Sequence, residues 1–188
     1  TVGTDHRERW NERYRAQPDR FGVQPSPLLR ELEQTLVPGE ALELGCGEGR
    51  NCAFLAARGW RVTGIDFSDV AVDRARVNHP GLTFECADVT TLATPTARYD
   101  LGCVVYLHTS PEERAVWFDG LIQAVRPGGH VIYVGHAPGE PPEPERPTRQ
   151  TLVHDMLVEV GWTESAHDRD TEPGHRARAD FGVIWRRR

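Results

Sequence analysis

The sequence predicts an α/β fold: a doubly wound, mostly parallel sheet of seven strands, whose last two strands form an antiparallel hairpin. Short apolar runs alternate with segments of helical periodicity from residue 41 onwards, and this alternation is typical of right-handed crossovers onto a parallel sheet. Residues 101–107 are nearly all apolar, as a strand covered on both faces should be. We expect one domain over residues 1–188.

Residues 1–39 are predicted to form a helical cover for this domain. Residues 4–15 have the pattern of an amphipathic helix with Thr4 as its N-cap. Trp10 and Tyr14 share a face of that helix, where they either pack on the domain or cover a ligand. A second, leucine-rich helix follows, and a proline-glycine pair ends it before the first strand.

Residues 40–136 are predicted to form the core, in which strands and helices alternate. The five predicted strands cover residues 41–44, 61–66, 82–87, 101–107 and 131–134. The helix after the fourth strand has a clear start signal, Ser110-Pro111-Glu112-Glu113. This stretch combines an N-cap serine, a proline at the first helical position and the glutamate of a capping box.

The C-terminal part begins with residues 137–150, which are rich in proline among charged residues. Neither a helix nor a central strand is expected there, and the segment is either a plain surface loop or a lid. In the remainder, residues 151–188, we predict a short helix over 151–160. Two strands, 162–168 and 178–185, would then form the terminal hairpin.

Composition excludes several classes of function. The net charge is −6, without the basic excess that nucleic-acid binding favours, and no apolar run is long enough to cross a membrane. The four cysteines show neither C-x-x-C pairing nor a histidine at zinc spacing. We expect a cytoplasmic monomer or homodimer with reduced thiols and no metal site, and with neither a membrane nor a nucleic acid as partner.

The most informative stretch is a glycine-rich turn after the first strand. Glu43 lies in that strand, and Gly45, Gly47 and Gly49 alternate with other residues before a helical pattern begins. Such a turn lets a ligand approach the backbone and the N–H groups of the helix N-terminus. A dinucleotide site would need its third glycine at Arg50, and the acid suits a ligand with a cationic amine. A simple packing turn is the alternative.

Polar residues follow each of the five predicted core strands. They are Glu43 at the end of the first strand, then Asp66, Asp88, His108 and His136. Because the carboxyl ends of parallel strands meet at one edge of a sheet, and ligands bind outside that edge, these side chains should converge on one site.

Four stretches resemble the motifs of class I S-adenosylmethionine (SAM) methyltransferases, over about residues 41–136. They are Glu43-Leu44-Gly45-Cys46-Gly47-Glu48-Gly49, Gly64-Ile65-Asp66-Phe67-Ser68, Cys86-Ala87-Asp88-Val89 and Arg126-Pro127-Gly128-Gly129. The N-terminal Trp-x-x-Arg-Tyr and Phe-Gly-x-x-Pro patterns are similar to the tellurite-resistance and thiopurine-type group. The resemblance implies a Rossmann-like fold, SAM as cofactor and methyl transfer to a small-molecule acceptor whose receiving atom is oxygen, nitrogen, sulfur or another chalcogen.

The resemblance also implies where the amino-acid end and the ribose of SAM would lie. Glu43 would hold the ammonium group, directly or through water. The backbone of Gly45, Cys46 and Gly47 would lie against the same end of the cofactor. Asp66 would accept hydrogen bonds from both ribose hydroxyls, as an ionised carboxylate can.

The adenine and the methionine part have implied partners as well. Phe67 would pack on the adenine face, and Asp88 would accept a hydrogen bond from the adenine amino group. The backbone N–H of Val89 would donate to a ring nitrogen, and the backbone near Val105 would line the methionine part.

Two histidines are candidates for catalysis, as bases or as groups that orient the substrate. We hypothesise that His108 faces the transferred methyl group, and a structural role is the alternative for either histidine. A general base is needed only for a weak nucleophile such as a hydroxyl, whereas a thiolate or chalcogen anion needs none. Tyr14 and Tyr106 are candidates for the substrate wall.

Three other functions remain open from the sequence. A SAM-binding sensor or scaffold would keep the same cofactor residues without catalysis. A nicotinamide-dependent oxidoreductase is disfavoured by Glu43 and Arg50. A nucleic-acid methyltransferase is disfavoured because residues 104–107 are Val-Val-Tyr-Leu rather than an Asn/Asp-Pro-Pro-Tyr motif.

Overall fold

The computed structural model describes residues 2–139, 141–167 and 178–188. Its strands are β1 (Glu40–Leu44), β2 (Arg61–Asp66), β3 (Thr83–Cys86), β4 (Tyr99–Val105), β5 (Val125–His136), β6 (Leu157–His167) and β7 (Arg178–Arg187). Its helices are α1 (Val2–Ala16), α2 (Pro27–Glu33), α3 (Arg50–Ala57), α4 (Asp69–Asn78) and α5 (Pro111–Ala124), with a 3₁₀ turn at Arg149–Thr151.

The seven strands form one sheet in the order β3-β2-β1-β4-β5-β7-β6. Strands β1 to β5 pair in parallel, while β7 pairs antiparallel with β5 and with β6. The predicted mixed sheet and its C-terminal hairpin are therefore confirmed. The chain runs outwards from β1 to β3 and then returns to β4 on the other side of β1. This reversal opens a crevice at the carboxyl ends of the strands.

Helices cover both faces of the sheet, as its apolar strands predict. One core cluster joins leucines of α2 and residues of α3 and α4 to the sheet, and a second joins α5 to the opposite face. In β1, Leu42 belongs to the second cluster and Ala41 to the first, because successive side chains of a strand point to opposite faces.

The N-termini of α5 and α1 test the helix caps predicted from the sequence. At α5 the Ser110 side chain accepts from the Glu113 N–H at 3.2 Å and the Glu113 carboxylate accepts from the Ser110 N–H at 3.1 Å. The predicted capping box is thus confirmed. The prediction of Thr4 as an N-cap is wrong, since α1 begins at Val2 and Thr4 lies within it.

The predicted helix over residues 151–160 is wrong. Only the short turn at Arg149–Thr151 is helical, and β6 begins at Leu157. Leu157 is buried against the sheet while Val158 and Val160 are exposed, a pattern closer to period two than to a helical stripe. Pairing with β7 satisfies the backbone here and overrides the local periodicity.

Other boundaries differ by a few residues. Strand β4 ends at Val105 rather than Leu107, because Tyr106 takes a positive φ of 60° and turns the chain away from the sheet. Strand β5 begins directly after α5, at Val125. The predicted end of the first hairpin strand at Asp168 and the connection between the two hairpin strands lie outside the described residues. Among the described helices, none is both long and apolar enough to cross a membrane.

Candidate functional site

A cavity of about 760 Å³ lies at the carboxyl ends of the parallel strands and under α1. Twelve of the thirteen residues predicted for the site line it. They are Tyr14, Gly45, Cys46, Gly47, Asp66, Phe67, Asp88, Val89, Val105, Tyr106, His108 and His136. The exception is Glu43, which lies beneath the cavity. The expected convergence of the strand ends is therefore present in three dimensions.

The glycine turn adopts the conformation that its sequence predicts. Gly45, Gly47 and Gly49 have φ values of 71°, 55° and 87°, in the left-handed region that L side chains rarely occupy. The Gly47 N–H donates to the Asp66 carboxylate at 2.8 Å. This bond ties the turn after β1 to the end of β2, so the floor of the cavity is one connected unit.

Tyr14 lies over this turn. A methyl group placed on Gly47 would come within 2.9 Å of the Tyr14 hydroxyl oxygen, and Tyr14 is 5 % exposed. Burial and the nearby Asp66 carboxylate raise the pKa of its hydroxyl, so the group stays neutral. Tyr14 was predicted as part of the substrate wall, but its position above the glycines brings it equally close to the turn expected to hold SAM.

Glu43 occupies a different position from the one its proposed role suggests. It is fully buried, and its two carboxylate oxygens accept from Asn51 Nδ2 at 3.1 Å and from the Cys52 thiol at 2.9 Å. Burial raises the pKa of Glu43 to about 7. Of its two partners, Asn51 lines the cavity. Glu43 therefore contacts the site indirectly, by fixing the side chain of Asn51.

Asp66 is positioned by both neighbouring segments. Its other carboxylate oxygen accepts from the Ser68 N–H at 2.9 Å. Burial raises the pKa of the Asp66 carboxyl, and the backbone hydrogen bonds offset only part of that rise. Each carboxylate oxygen has two lone pairs, so both oxygens retain the capacity to accept a further hydrogen bond from a ligand.

Helix α1 is fastened over the site by Asn11. The Ser68 hydroxyl donates to Asn11 Oδ1 at 2.6 Å, and Asn11 Nδ2 donates to the Asp69 carboxylate at 2.8 Å. Asn11 is 3 % exposed and Ser68 is fully buried. The same serine caps α4 by accepting from the Ala71 N–H, so one hydroxyl links the cover helix to the core.

Asp88 and Phe67 lie toward a more open part of the cavity. Asp88 is exposed, and one of its oxygens accepts from both the N–H and the hydroxyl of Thr90, at 2.8 and 2.7 Å. Phe67 makes an edge contact with the His6 ring, with centroids 5.6 Å apart. Asp88 therefore stabilises its own loop, and the residue lines the cavity.

The two predicted catalytic histidines are stacked. Their ring centroids are 4.9 Å apart and the planes differ by 5°. The His136 backbone N–H donates to His108 Nε2 at 3.2 Å, and burial lowers the pKa of His108 to about 4. His108 is therefore neutral with its proton on Nδ1, and its Nε2 lone pair is already used.

His136 has a partner that the sequence did not reveal, Asp180 in β7. The His136 Nδ1 lies 2.7 Å from Asp180 Oδ1, and the Tyr106 hydroxyl donates to Asp180 Oδ2 at 2.5 Å. Asp180 is 1 % exposed and faces His136 in the β5–β7 register. The only signal in the sequence was an isolated acid in an otherwise apolar strand.

An aromatic wall closes the other side of the cavity. Trp10, Tyr14 and Phe21 pack together with centroids 5.9 to 6.3 Å apart. Phe21 and Val23 line the cavity and remain 51 % and 66 % exposed. In the sequence, the Phe-Gly loop shows only a resemblance to a family pattern, although large apolar residues in a short polar loop indicate a binding surface.

Comparison with known proteins agrees with this geometry. Residues 41–129 match the family model of a methyltransferase domain. The chain is thus similar to a methyltransferase domain over just under half of its length. It is 29 % identical to the 2-heptyl-1-hydroxyquinolin-4(1H)-one methyltransferase of Mycobacteroides abscessus, over 72 % of this chain and 64 % of that protein. The chain thus spans less than two thirds of this curated relative.

Solved structures share the fold. The N-methyltransferase NodS of Bradyrhizobium japonicum, in complex with S-adenosyl-L-homocysteine (SAH), superimposes with a TM-score of 0.73 at 20 % identity, over 96 % of this chain and 98 % of that one. TehB of Haemophilus influenzae gives a TM-score of 0.68 at 16 % identity, over 85 % and 61 %. The resemblance of fold to the TehB type is therefore confirmed.

Proposed function

We propose that the protein transfers a methyl group from SAM to a small-molecule acceptor. The observation that carries this proposal is that one cavity is lined by the glycine turn, by the acids at the ends of β2 and β3, and by the histidines at the ends of β4 and β5. We infer from the matching segment that the chain is a class I SAM-dependent methyltransferase. The glycine turn and the acids would then bind a nucleoside with an amino-acid tail, and the histidines would border the acceptor.

The cofactor would lie along the strand ends. Asp66 would accept hydrogen bonds from the ribose hydroxyls with its remaining lone pairs, and Phe67 would pack on the adenine. Asp88 and the Val89 N–H would bind the adenine edge. The backbone near Val105 would line the methionine part. These roles fit the side chains that line the cavity.

The amino-acid end of SAM would meet the backbone of Gly45, Cys46 and Gly47. Glu43 lies behind that turn, so we propose that it acts through a water molecule or through Asn51 rather than by direct contact. Because a buried carboxyl with a pKa of about 7 is easily ionised by a nearby cation, the ammonium of SAM would favour its charged form.

Catalysis would consist mainly of alignment and water exclusion. Holding the acceptor in line with the methyl–sulfur bond supplies about 7–11 kcal/mol of the barrier reduction available to such reactions. The charge of the sulfonium disperses in the transition state, so a shielded site helps. Tyr14 and α1 cover the cavity, while Phe21 and Val23 offer an apolar surface for the acceptor.

A calorimetric titration tests the cofactor assignment. We expect SAM and SAH to bind at micromolar Kd and NAD not to bind. Asp66→Asn and Asp66→Ala should weaken SAM binding at least about 10-fold, since each hydrogen bond to a charged group contributes about 1.5–3 kcal/mol. Asp73→Asn, on the exposed face of α4, is the control. Binding of NAD without SAM, or an unchanged Kd in folded Asp66→Asn, would contradict the proposal.

We also propose a cytoplasmic location and a monomeric or homodimeric state, without a nucleic-acid or membrane partner. The net charge of −6 and the free thiols at Cys46, Cys52, Cys86 and Cys103 support this, because free thiols persist in reducing compartments. Light scattering of the purified protein measures the oligomeric state directly, and a mass beyond the dimer would contradict it.

A further inference from the structure

The pair formed by His136 and Asp180 has the geometry of a general base with its orienting carboxylate. The two residues face each other across the β5–β7 ladder, and the carboxylate lies 2.7 Å from the Nδ1 of the imidazole. Both residues lie outside the segment that matches the methyltransferase family model. The pair therefore belongs to the part of the chain where acceptor chemistry can differ between relatives.

The surroundings fix which nitrogen of His136 carries the proton. An ionised carboxylate only accepts hydrogen bonds, so Nδ1 donates to Asp180 and the lone pair of the neutral ring lies on Nε2. In the described part of the chain, no hydrogen bond is made to Nε2. The His136 side chain is 29 % exposed and lines the cavity, so the ring borders the space where an acceptor would lie.

Tyr106 strengthens this arrangement. Its hydroxyl donates to the other oxygen of Asp180 at 2.5 Å, and its ring centroid lies 4.9 Å from that of His136. Tyr106 reaches this position because its positive φ turns the chain at the end of β4. Both oxygens of the Asp180 carboxylate therefore have partners, and the Tyr106 ring packs against the imidazole of His136.

His108 stacks on the imidazole of His136, with ring centroids 4.9 Å apart. Its Nε2 is occupied by the His136 backbone N–H, which leaves it without a lone pair for the acceptor. His108 stays neutral in the physiological range because burial lowers its pKa to about 4. It therefore serves as a stacking partner rather than as a base.

We propose that His136 Nε2 removes the proton of an acceptor hydroxyl, with Asp180 as a positioning residue, and that the acceptor is a hydroxyl group on an apolar, aromatic-sized body. This rests on the methyl transfer proposed above. The oxygen forms a bond to the methyl carbon as the carbon–sulfur bond breaks, and the bonding electrons pass to sulfur. The acceptor proton goes to Nε2 and later to solvent, giving a methyl ether, SAH and a proton.

The class of acceptor follows from the need for a base. Thiols and chalcogen anions ionise readily near neutral pH and attack without help, whereas a neutral hydroxyl is a weak nucleophile. A positioned general base therefore accelerates the methylation of a hydroxyl acceptor more than that of a thiol. The wall formed by Trp10, Phe21 and Val23 provides the apolar surface for the rest of the molecule.

The test uses matched acceptors that differ in one atom, 2-naphthol and 2-naphthalenethiol, with 1-hydroxyquinolin-4(1H)-one as a second hydroxyl acceptor. SAH formation is measured for the wild-type protein, His136→Gln and Asp180→Asn. His130→Gln is the control, because His130 lies in the same strand but not at the cavity. SAM binding is measured for each variant by calorimetry.

We expect the wild type to methylate at least one hydroxyl acceptor. His136→Gln should lower kcat for it by about 10²–10⁴-fold, the usual contribution of a general base. Its SAM affinity and its turnover of the thiol at pH 8 should change less than about 3-fold. The His130→Gln control should match the wild type.

Asp180→Asn should lower kcat more than KM, because the amide no longer holds the imidazole in the tautomer that leaves Nε2 unprotonated. The side chains that face His136 are Asp180, Tyr106 and His108. Nitrogen-15 NMR of the imidazole should show the Nδ1–H tautomer in the wild type and its loss in Asp180→Asn.

The outcomes separate the two proposals. If SAM does not bind, the proposed function fails. If SAM binds but no hydroxyl acceptor is methylated, or if His136→Gln behaves like His130→Gln, the assignment of base and acceptor is wrong while SAM binding stands. An Nε2–H tautomer in the wild type would remove the positioning role of Asp180.

Discussion

Replacing Glu43 by glutamine should make the ligand-free protein more stable in alkaline solution. The carboxyl group is fully buried, and burial raises its pKa from 4.5 to about 7. The folded protein therefore keeps a proton that the unfolded chain releases. The stability that Glu43 contributes is fully present below pH 4.5 and is lost as the pH rises through about 7.

The magnitude follows from the size of that shift. One pKa unit corresponds to about 1.4 kcal/mol, so a carboxyl whose pKa rises from 4.5 to about 7 loses roughly 3 kcal/mol above neutral pH. Glutamine has a similar shape, can accept from Asn51 and can donate to the Cys52 sulfur, and does not ionise. Glu43→Gln should therefore match the wild type at pH 5 and exceed it by about 1–3 kcal/mol at pH 8.5.

Thermal unfolding at the two pH values measures this difference. For a chain of this size, 1 kcal/mol changes Tm by about 2–4 °C, so the variant should gain about 5 °C at pH 8.5 and little at pH 5. Glu85→Gln, an exposed glutamate in β3, is the control. A Tm difference between Glu43→Gln and wild type that is the same at both pH values would refute the argument. In the proposed function, the same variant should also bind SAM more weakly at pH 8.5.

Three further substitutions test individual contacts. Gly47→Ala should lose about 1–3 kcal/mol of stability, because φ is 55° and the new methyl group meets the Tyr14 hydroxyl at 2.9 Å. Adding Tyr14→Phe to this variant should recover part of the loss in urea unfolding. No recovery would contradict the steric explanation. Ser110→Ala removes the capping box of α5 and should cost about 1 kcal/mol, read from the urea midpoint. Asn11→Ala leaves the buried Ser68 hydroxyl without its partner and should cost about 1–3 kcal/mol; proteolysis should then cut α1 faster than in the wild type.

The glycine turn and the acids at the strand ends could be predicted because their signals are local. A strand, three alternating glycines and a helix fix the turn, and the acids after β2 and β3 follow within a few residues of strand patterns that are themselves local. Ser110 caps its helix as expected, and Ser68 caps α4 through an equally local hydrogen bond. Each of these features depends on φ/ψ preferences and on hydrogen bonds within about one helical turn.

The acceptor side could not be predicted in the same way. Asp180 meets His136 only because β7 inserts between β5 and β6 in one register, and residues 44 positions apart have no local signal for pairing. Strand β6 replaced a predicted helix for the same reason, since its backbone bonds are made with a distant strand. The burial of Glu43 behind the turn was likewise hidden, because the pattern shows an acid in a strand but not what packs over it.

The sequence by itself thus determined the α/β class, the glycine turn, the helix starts and the set of residues at the strand ends, since these follow from periodicity, chain stereochemistry and short-range hydrogen bonding. Only the tertiary structure decided which oxygen or nitrogen atom of each side chain already takes part in a hydrogen bond within the protein. His108 accepts a hydrogen bond from the His136 backbone and stacks on its ring, while Asp180 contacts the Nδ1 of His136 and lines the cavity. The physical reason is that a lone pair or proton is assigned by its nearest partner in space, and that partner is set by the packing of strands distant in the chain.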